Sequence, residues 1–156
     1  MAQGDGRQVE WLDRLVEWIR ILHDDAIKRS GGVLGEHTSS LYAACARPFT
    51  SAFGELLYQT PYERAGAILH AIVCDHAFVD GNKRSGTLAA IWMLLGHGVL
   101  SESRPVTGLQ VRMLGQVALE AASEGLTVEQ VVFWVQRIFV PAAVGSSSAS
   151  PNATLS

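Results

Sequence analysis

His76-Ala77-Phe78-Val79-Asp80-Gly81-Asn82-Lys83-Arg84 sets an imidazole, a carboxylate, a carboxamide, an ammonium and a guanidinium within nine residues. An Asp-Gly turn lies between the histidine and the cations, and a strongly apolar run from Thr87 to Leu95 follows at once. The pattern predicts a loop entering the N-terminus of a helix, with Asn82 as the cap. Backbone N–H groups and the positive end of the macrodipole favour an anion at such a place. Lys83 and Arg84 beside it suit a polyphosphate. Taken singly, each residue is ordinary: a histidine in a turn, surface cations, an asparagine cap. The ordered set is what points to chemistry.

The segments around the stretch read as helices. Val9, Leu12, Leu15, Val16, Ile19, Leu22 and Ala26 fall at helical spacing, predicting an amphipathic helix over 9–29 stopped by Gly31-Gly32. Ser39 to Cys45 reads as a short helix ending near Arg47-Pro48. Pro48 to Gln59 has no sustained period and suits a surface flap or hairpin. Thr60, Pro61 and Glu63 combine an N-cap, a first-position proline and a capping box, opening a helix to about Asp75 with Ala65, Ile68, Leu69, Ile72 and Val73 inward. From Asn82 a helix continues to Gly96 or Gly98, apolar nearly all round and so predicted to be the central buried one. Thr107 with Gln110 and Thr127 with Gln130 repeat the capping box and open helices at about 108–124 and 128–139. The fold class expected is mainly α, one helical domain over 9–140 with an irregular or β-hairpin flap. Residues 1–8 and the small, polar tail 141–156 are expected to be disordered.

Composition narrows the function classes. A chain of 156 residues, 48% hydrophobic and 17% charged, can bury a real core as one domain. Its net charge of −3, with no basic run outside the motif, argues against nucleic-acid binding by charge neutralisation. Asp75-His76 and Gly96-His97-Gly98 cut short the longest apolar runs, so no membrane span is expected. Met1 to Glu10 lacks a signal-peptide apolar core, and Cys45 and Cys74 are too few for a disulfide framework, so a reducing cytoplasm is the expected location. Both cysteines read as small buried hydrophobes.

On the nine-residue stretch the chain resembles the Fic/Doc family, and within it the Doc (death-on-curing) branch. Fic proteins carry His-Pro-Phe-x-(Asp/Glu)-Gly-Asn-Gly-Arg, whereas the Doc pattern keeps His-x-Phe-x-(Asp/Asn)-(Gly/Ala)-Asn-Lys-Arg, so Lys83 stands where Fic proteins have glycine. Position 87, where a second Fic arginine would fall, is Thr87, and Ala77 replaces the usual proline. Leu22-His23-Asp24, Ala46-Arg47-Pro48 and Phe53-Gly54 supply matching context, and the resemblance covers roughly residues 20–139.

The resemblance implies transfer of a phosphate-containing group from a nucleotide to a hydroxyl of a target protein. His76 would be the catalytic base. Asp80 would be the metal ligand, a hard oxygen donor suited to Mg²⁺. Gly81, Asn82, Lys83 and Arg84 would bind the nucleotide: Gly81 by close backbone approach, Asn82 by holding a phosphate oxygen or the loop itself, Lys83 as a point charge and Arg84 as a fork. Phe78 is expected to point into the core. With Lys83 in place of glycine, the favoured reading is a Doc-like toxin of a toxin–antitoxin system, transferring the terminal phosphoryl group of ATP to a Ser/Thr hydroxyl of a translation factor. The alternatives are a Fic-type nucleotidyl transferase (AMPylation) and a catalytically inactive binding module. The chain shows no inhibitory helix of its own, so control is expected from a small antitoxin docking a helix.

Other polar residues read more plainly. His70, six residues before His76, is off the helical-face spacing and reads as a packing residue. His23-Asp24-Asp25 reads as the solvated end of the first helix. Trp11, Trp18, Trp92 and Trp134 read as core, with Trp11 and Trp18 alternatively on a partner surface. Arg47, Thr50, Ser51 and Tyr58 sit in the expected flap.

Overall fold

Thr60 accepts a hydrogen bond from the Glu63 N–H and Pro61 takes the first helical position, so α3 (Pro61–Cys74) starts where its capping signals put it. In the computed structural model, which describes residues 3–141, this helix is the axis of the molecule. Ala65, Ile68, Leu69, Ile72 and Val73 are buried as expected, and Gly66, Ala67 and Ala71 are buried too, so α3 is covered on nearly every side. It shares the centre with α4 (Asn82–Gly96), whose buried residues run from Ser85 to Leu94. The two helices meet closely at Gly86, where an added Cβ would lie 2.9 Å from Val73 Cγ2 and 3.3 Å from the Leu69 carbonyl oxygen.

The first helix, α1 (Gln3–Ser30), is longer than its apolar stripe predicts. Residues 3–8, expected to be disordered, are helical; extending a formed helix fixes one residue per bond, so elongation needs no apolar face of its own. The helix ends at Gly31, φ +83°, whose N–H bonds the Ile27 carbonyl at 2.8 Å. A short α2 (Thr38–Ala46) and a single 3-10 turn (Arg47–Phe49) lead into the expected hairpin, β1 (Ser51–Ala52) and β2 (Glu55–Leu56). The strands are antiparallel, Ser51 opposite Leu56 and Ala52 opposite Glu55. Phe53 and Gly54 turn between them with φ of 52° and 80°, the left-handed pair that a two-residue hairpin loop demands.

Both later capping boxes form as read, opening α5 (Gly108–Glu124) and α6 (Val128–Phe139), and Gly125 stops α5 in the left-handed region at φ 68°. Among the described residues the architecture is therefore mainly α, six helices with one two-stranded sheet. No helix among them is long and apolar enough to cross a membrane. Cys45 is buried as expected, and burial pushes its thiol up to about 12. Two tryptophans depart from the core reading: Trp18 and Trp134 are 47% and 41% exposed. Trp18 stacks outward on Trp92 at 5.1 Å rather than entering the interior. The expected tail lies, apart from Pro141, outside the described residues.

Candidate functional site

His76 closes α3. The Ala77 N–H reaches back to the Ile72 carbonyl at 3.2 Å and His76 itself takes φ +49°, so a histidine fills the left-handed position at which helices usually end on glycine. Non-glycine residues pay a strain cost there, and such outliers gather at functional sites. The imidazole is exposed, while Ala77 and Phe78 on its C-terminal side are buried. Phe78 enters the core as expected and anchors the loop.

Asn82 acts on the loop itself. Its Oδ1 accepts from the Phe78 N–H and its Nδ2 donates to the Phe78 carbonyl, both at 2.8 Å, so one carboxamide holds both main-chain groups of one residue. Asn82 is accordingly the first residue of α4 and not its cap. The cap position belongs to Gly81, φ +77°, with no capping side chain, and the first turn contains no acidic residue. The N-termini of α3, α5 and α6 are each covered by a threonine hydroxyl, and that of α4 is not. Lys83 stands exposed on this first turn. Thr87 turns its hydroxyl back to the Lys83 carbonyl at 2.8 Å.

Asp80 is held through both carboxylate oxygens: Oδ1 accepts from the Gly81 N–H at 2.7 Å and Oδ2 from the Val33 N–H at 3.1 Å. Those two N–H groups, with lesser help from Arg84 and His23, hold its carboxyl below the usual carboxylate range. The carboxylate is thus ionised at neutral pH and keeps acceptor capacity on each oxygen. Among the described residues no group of three or more His, Cys, Asp or Glu side chains could cage a metal. The donor set fits a hard cation held by a single carboxylate and shared with phosphate oxygens.

Arg84 reaches the other way. Its Nη1 donates to the carbonyls of Gly31 at 2.9 Å and Ala26 at 3.4 Å and to the Ser30 hydroxyl, capping the negative end of α1. Its Nη2 and Asp80 Oδ2 flank Gly32, where an added Cβ would lie 3.2 Å from the first and 2.7 Å from the second. With φ +127° as well, position 32 has room only for glycine. The structure therefore gathers Asp80, Gly81 and Arg84 around the Gly31-Gly32 turn, with His76 and Lys83 exposed on either side of the bend in sequence.

The bracing of this bend comes from residues whose part in it the sequence does not announce. The main-chain N–H of His37 donates to the Ala77 carbonyl at 2.9 Å and that of Val79 to the Gly35 carbonyl at 3.0 Å, so the segment after α1 runs antiparallel to the motif. Arg20 forks onto Glu36 at 2.6 and 2.8 Å and ties that segment to α1. Arg47 bonds Asp75 at 2.9 Å, fixing the root of the hairpin to the residue before His76. His23 is no solvated helix end: it is buried at 1% exposure. The signal for it was present, because Val16, Ile19, His23 and Ile27 share one helical stripe. His70 donates to the Leu126 carbonyl at 2.9 Å and packs α3 against the α5–α6 turn, as expected of a packing residue.

A helical domain whose bend carries His-x-Phe-x-Asp-Gly-Asn-Lys-Arg ahead of an uncapped helix defines a class. The model of the Fic/DOC family matches residues 11–94, and the chain belongs to that family. It is also similar to a protein named Toxin Doc from Mycolicibacterium smegmatis, 41% identical over 59 residues, which are 38% of this chain and 45% of that protein. The chain thus spans less than half the length of this relative.

Proposed function

We propose that the protein is a Doc-like toxin that transfers the terminal phosphoryl group of ATP to a Ser or Thr hydroxyl of a translation factor. One observation carries the reading: α4 opens on Gly81 without a capping side chain or an acidic residue in its first turn, and ionised Asp80 adjoins it. An uncapped helix start flanked by Lys83 and Arg84 is an anion site, and a carboxylate beside it suits a cation shared with phosphate. His76, exposed on its strained turn, takes the proton of the acceptor hydroxyl. The hydroxyl oxygen bonds to the γ-phosphorus while the bond to the β–γ bridging oxygen breaks, and ADP leaves with that electron pair. Lys83, Arg84 and the α4 amides neutralise the charge spread over the transferred group, the main task in such reactions. Mg²⁺, held by Asp80, would supply further neutralisation of phosphate charge. Gly81 and Asn82 set the backbone against which the phosphates lie. Lys83 favours this outcome over nucleotidyl transfer because it fills the place where Fic proteins have glycine.

The partner is a small antitoxin presenting a helix. Between α1 and α5, floored by α4, lies a groove of about 510 Å³ lined by Leu22, Ala26, Leu88 and Val111, with Arg84 at its edge. A helix seated there would lie on the same guanidinium that serves the site. Placing a charge in the groove with Val111→Glu should weaken antitoxin binding about tenfold or more in a direct titration, and leave phosphoryl transfer unchanged.

The test is label transfer in a translation extract. With γ-labelled ATP one protein band should take up label and with α-labelled ATP none should. Label from the α position would make the protein a nucleotidyl transferase. Toxicity that survives His76→Ala undiminished would leave a binding module.

A further inference from the structure

Behind the bend lies a buried imidazole with a donor's task. The His23 ring is parallel to that of Phe78, 3.8 Å between centroids at 3°, and its Nε2 lies 2.8 Å from the Asp80 carbonyl oxygen. A carbonyl oxygen only accepts, so Nε2–H donates. Nδ1 lies 3.0 Å from the surface carboxylate of Asp24.

We propose that His23 is a positioning residue for the transfer reaction, holding the Asp80 main chain, and through it the Asp80 carboxylate, from α1. This rests on the phosphotransfer reading above. Phe78 is pinned at both main-chain groups by Asn82, and Asp80 is pinned at its carbonyl by His23. The bend is therefore fixed at two residues by bonds from two elements, α4 and α1. The carboxylate that follows is then aligned by the N–H groups of Gly81 and Val33. The helix α1 lies directly against the turn: a Cβ on Gly81 would be 3.0 Å from Ile27 Cδ1 and 3.6 Å from His23 Cδ2. Filling this volume needs only an apolar residue. A polar ring on the buried stripe of α1 is costly unless it is hydrogen-bonded, and the bond it makes goes to the main chain of the proposed cation ligand.

Two substitutions separate holding from filling. His23→Phe keeps the ring and its stack but removes the donor; His23→Gln restores an N–H at a similar reach. Measured together are kcat for phosphoryl transfer and, without nucleotide, hydrogen exchange of the Val33 and Gly81 amides. For His23→Phe the account expects kcat to fall roughly 10- to 100-fold, in the range of lost outer-shell partners. Both amides should exchange about tenfold faster, with amides of α3 and α6 unchanged, and His23→Gln should recover most of each effect. Wild-type kcat and wild-type exchange in His23→Phe would overturn the proposal, as would a His23→Gln variant impaired as severely. Should His23→Phe not fold, His23→Gln decides: near-wild-type values support the donor role, and losses of about tenfold overturn it. A wild-type protein that transfers nothing fails the phosphotransfer reading instead, and amide exchange in the two variants then decides this proposal.

Discussion

At the scale of single residues, the motif divides into groups that face outward for chemistry and groups that hold the backbone for them. His76 and Lys83 are exposed, whereas Phe78 is sunk in the core and Asn82 spends its carboxamide on the Phe78 main chain. For Phe78 that division was legible in the sequence; for Asn82 it was not, because an asparagine before a helical run is an equally good cap, phosphate ligand or loop clamp. Only the position of the Phe78 amide chooses among them. Asn82→Ala should therefore act first on stability, leaving two part-buried main-chain groups without their partner and costing about 2 kcal/mol. Urea unfolding reads this directly, and a change below a few tenths of a kcal/mol would contradict the clamp. Transfer activity should fall with it.

At the scale of elements, the bend is braced by α1, by the segment following it, and by the start of α4. The Arg20 fork and the Thr38 hydroxyl hold the Glu36 carboxyl below its ordinary value of 4.5. A depressed folded-state value means stabilisation that is complete above the unfolded value and is lost as pH falls through the folded one. Glu36→Gln should thus lower stability by about 1 kcal/mol near neutral pH, the pair being part-buried, and the difference from wild type should vanish in strong acid. Unfolding midpoints across pH check this, and a difference that persists unchanged into acid would contradict it. The helices were legible because their signals are local: Thr60-Pro61, Thr107-Gln110 and Thr127-Gln130 each fix a start within a few residues. The bracing was not legible, because Arg20 and Glu36, or His23 and Asp80, lie far apart in the chain and no period links them. His23 is the instructive case. Its helical phase put it on the buried stripe, yet its chemical type suggested solvent.

At the scale of the whole molecule, the site depends on how closely α4 lies on α3, since His76 ends one helix and Gly81 begins the other. Gly86 permits that approach, so Gly86→Val should force the pair apart and destabilise by about 1–3 kcal/mol. Thermal unfolding reads the loss, and reduced transfer in the variant that remains folded would follow from the displaced bend. The mainly α architecture followed from capping and periodicity alone, and membership of the Fic/DOC family agrees with the motif. The central claim is that the bend from His76 to Arg84 is a phosphoryl-transfer site, and the intact mass of the target protein tests it most directly. After incubation with ATP and Mg²⁺, wild-type protein should increase the target's mass by one phosphoryl group and His76→Ala should leave it unchanged. A gain of a whole nucleotide, or an unmodified target with the wild-type protein, would contradict the account.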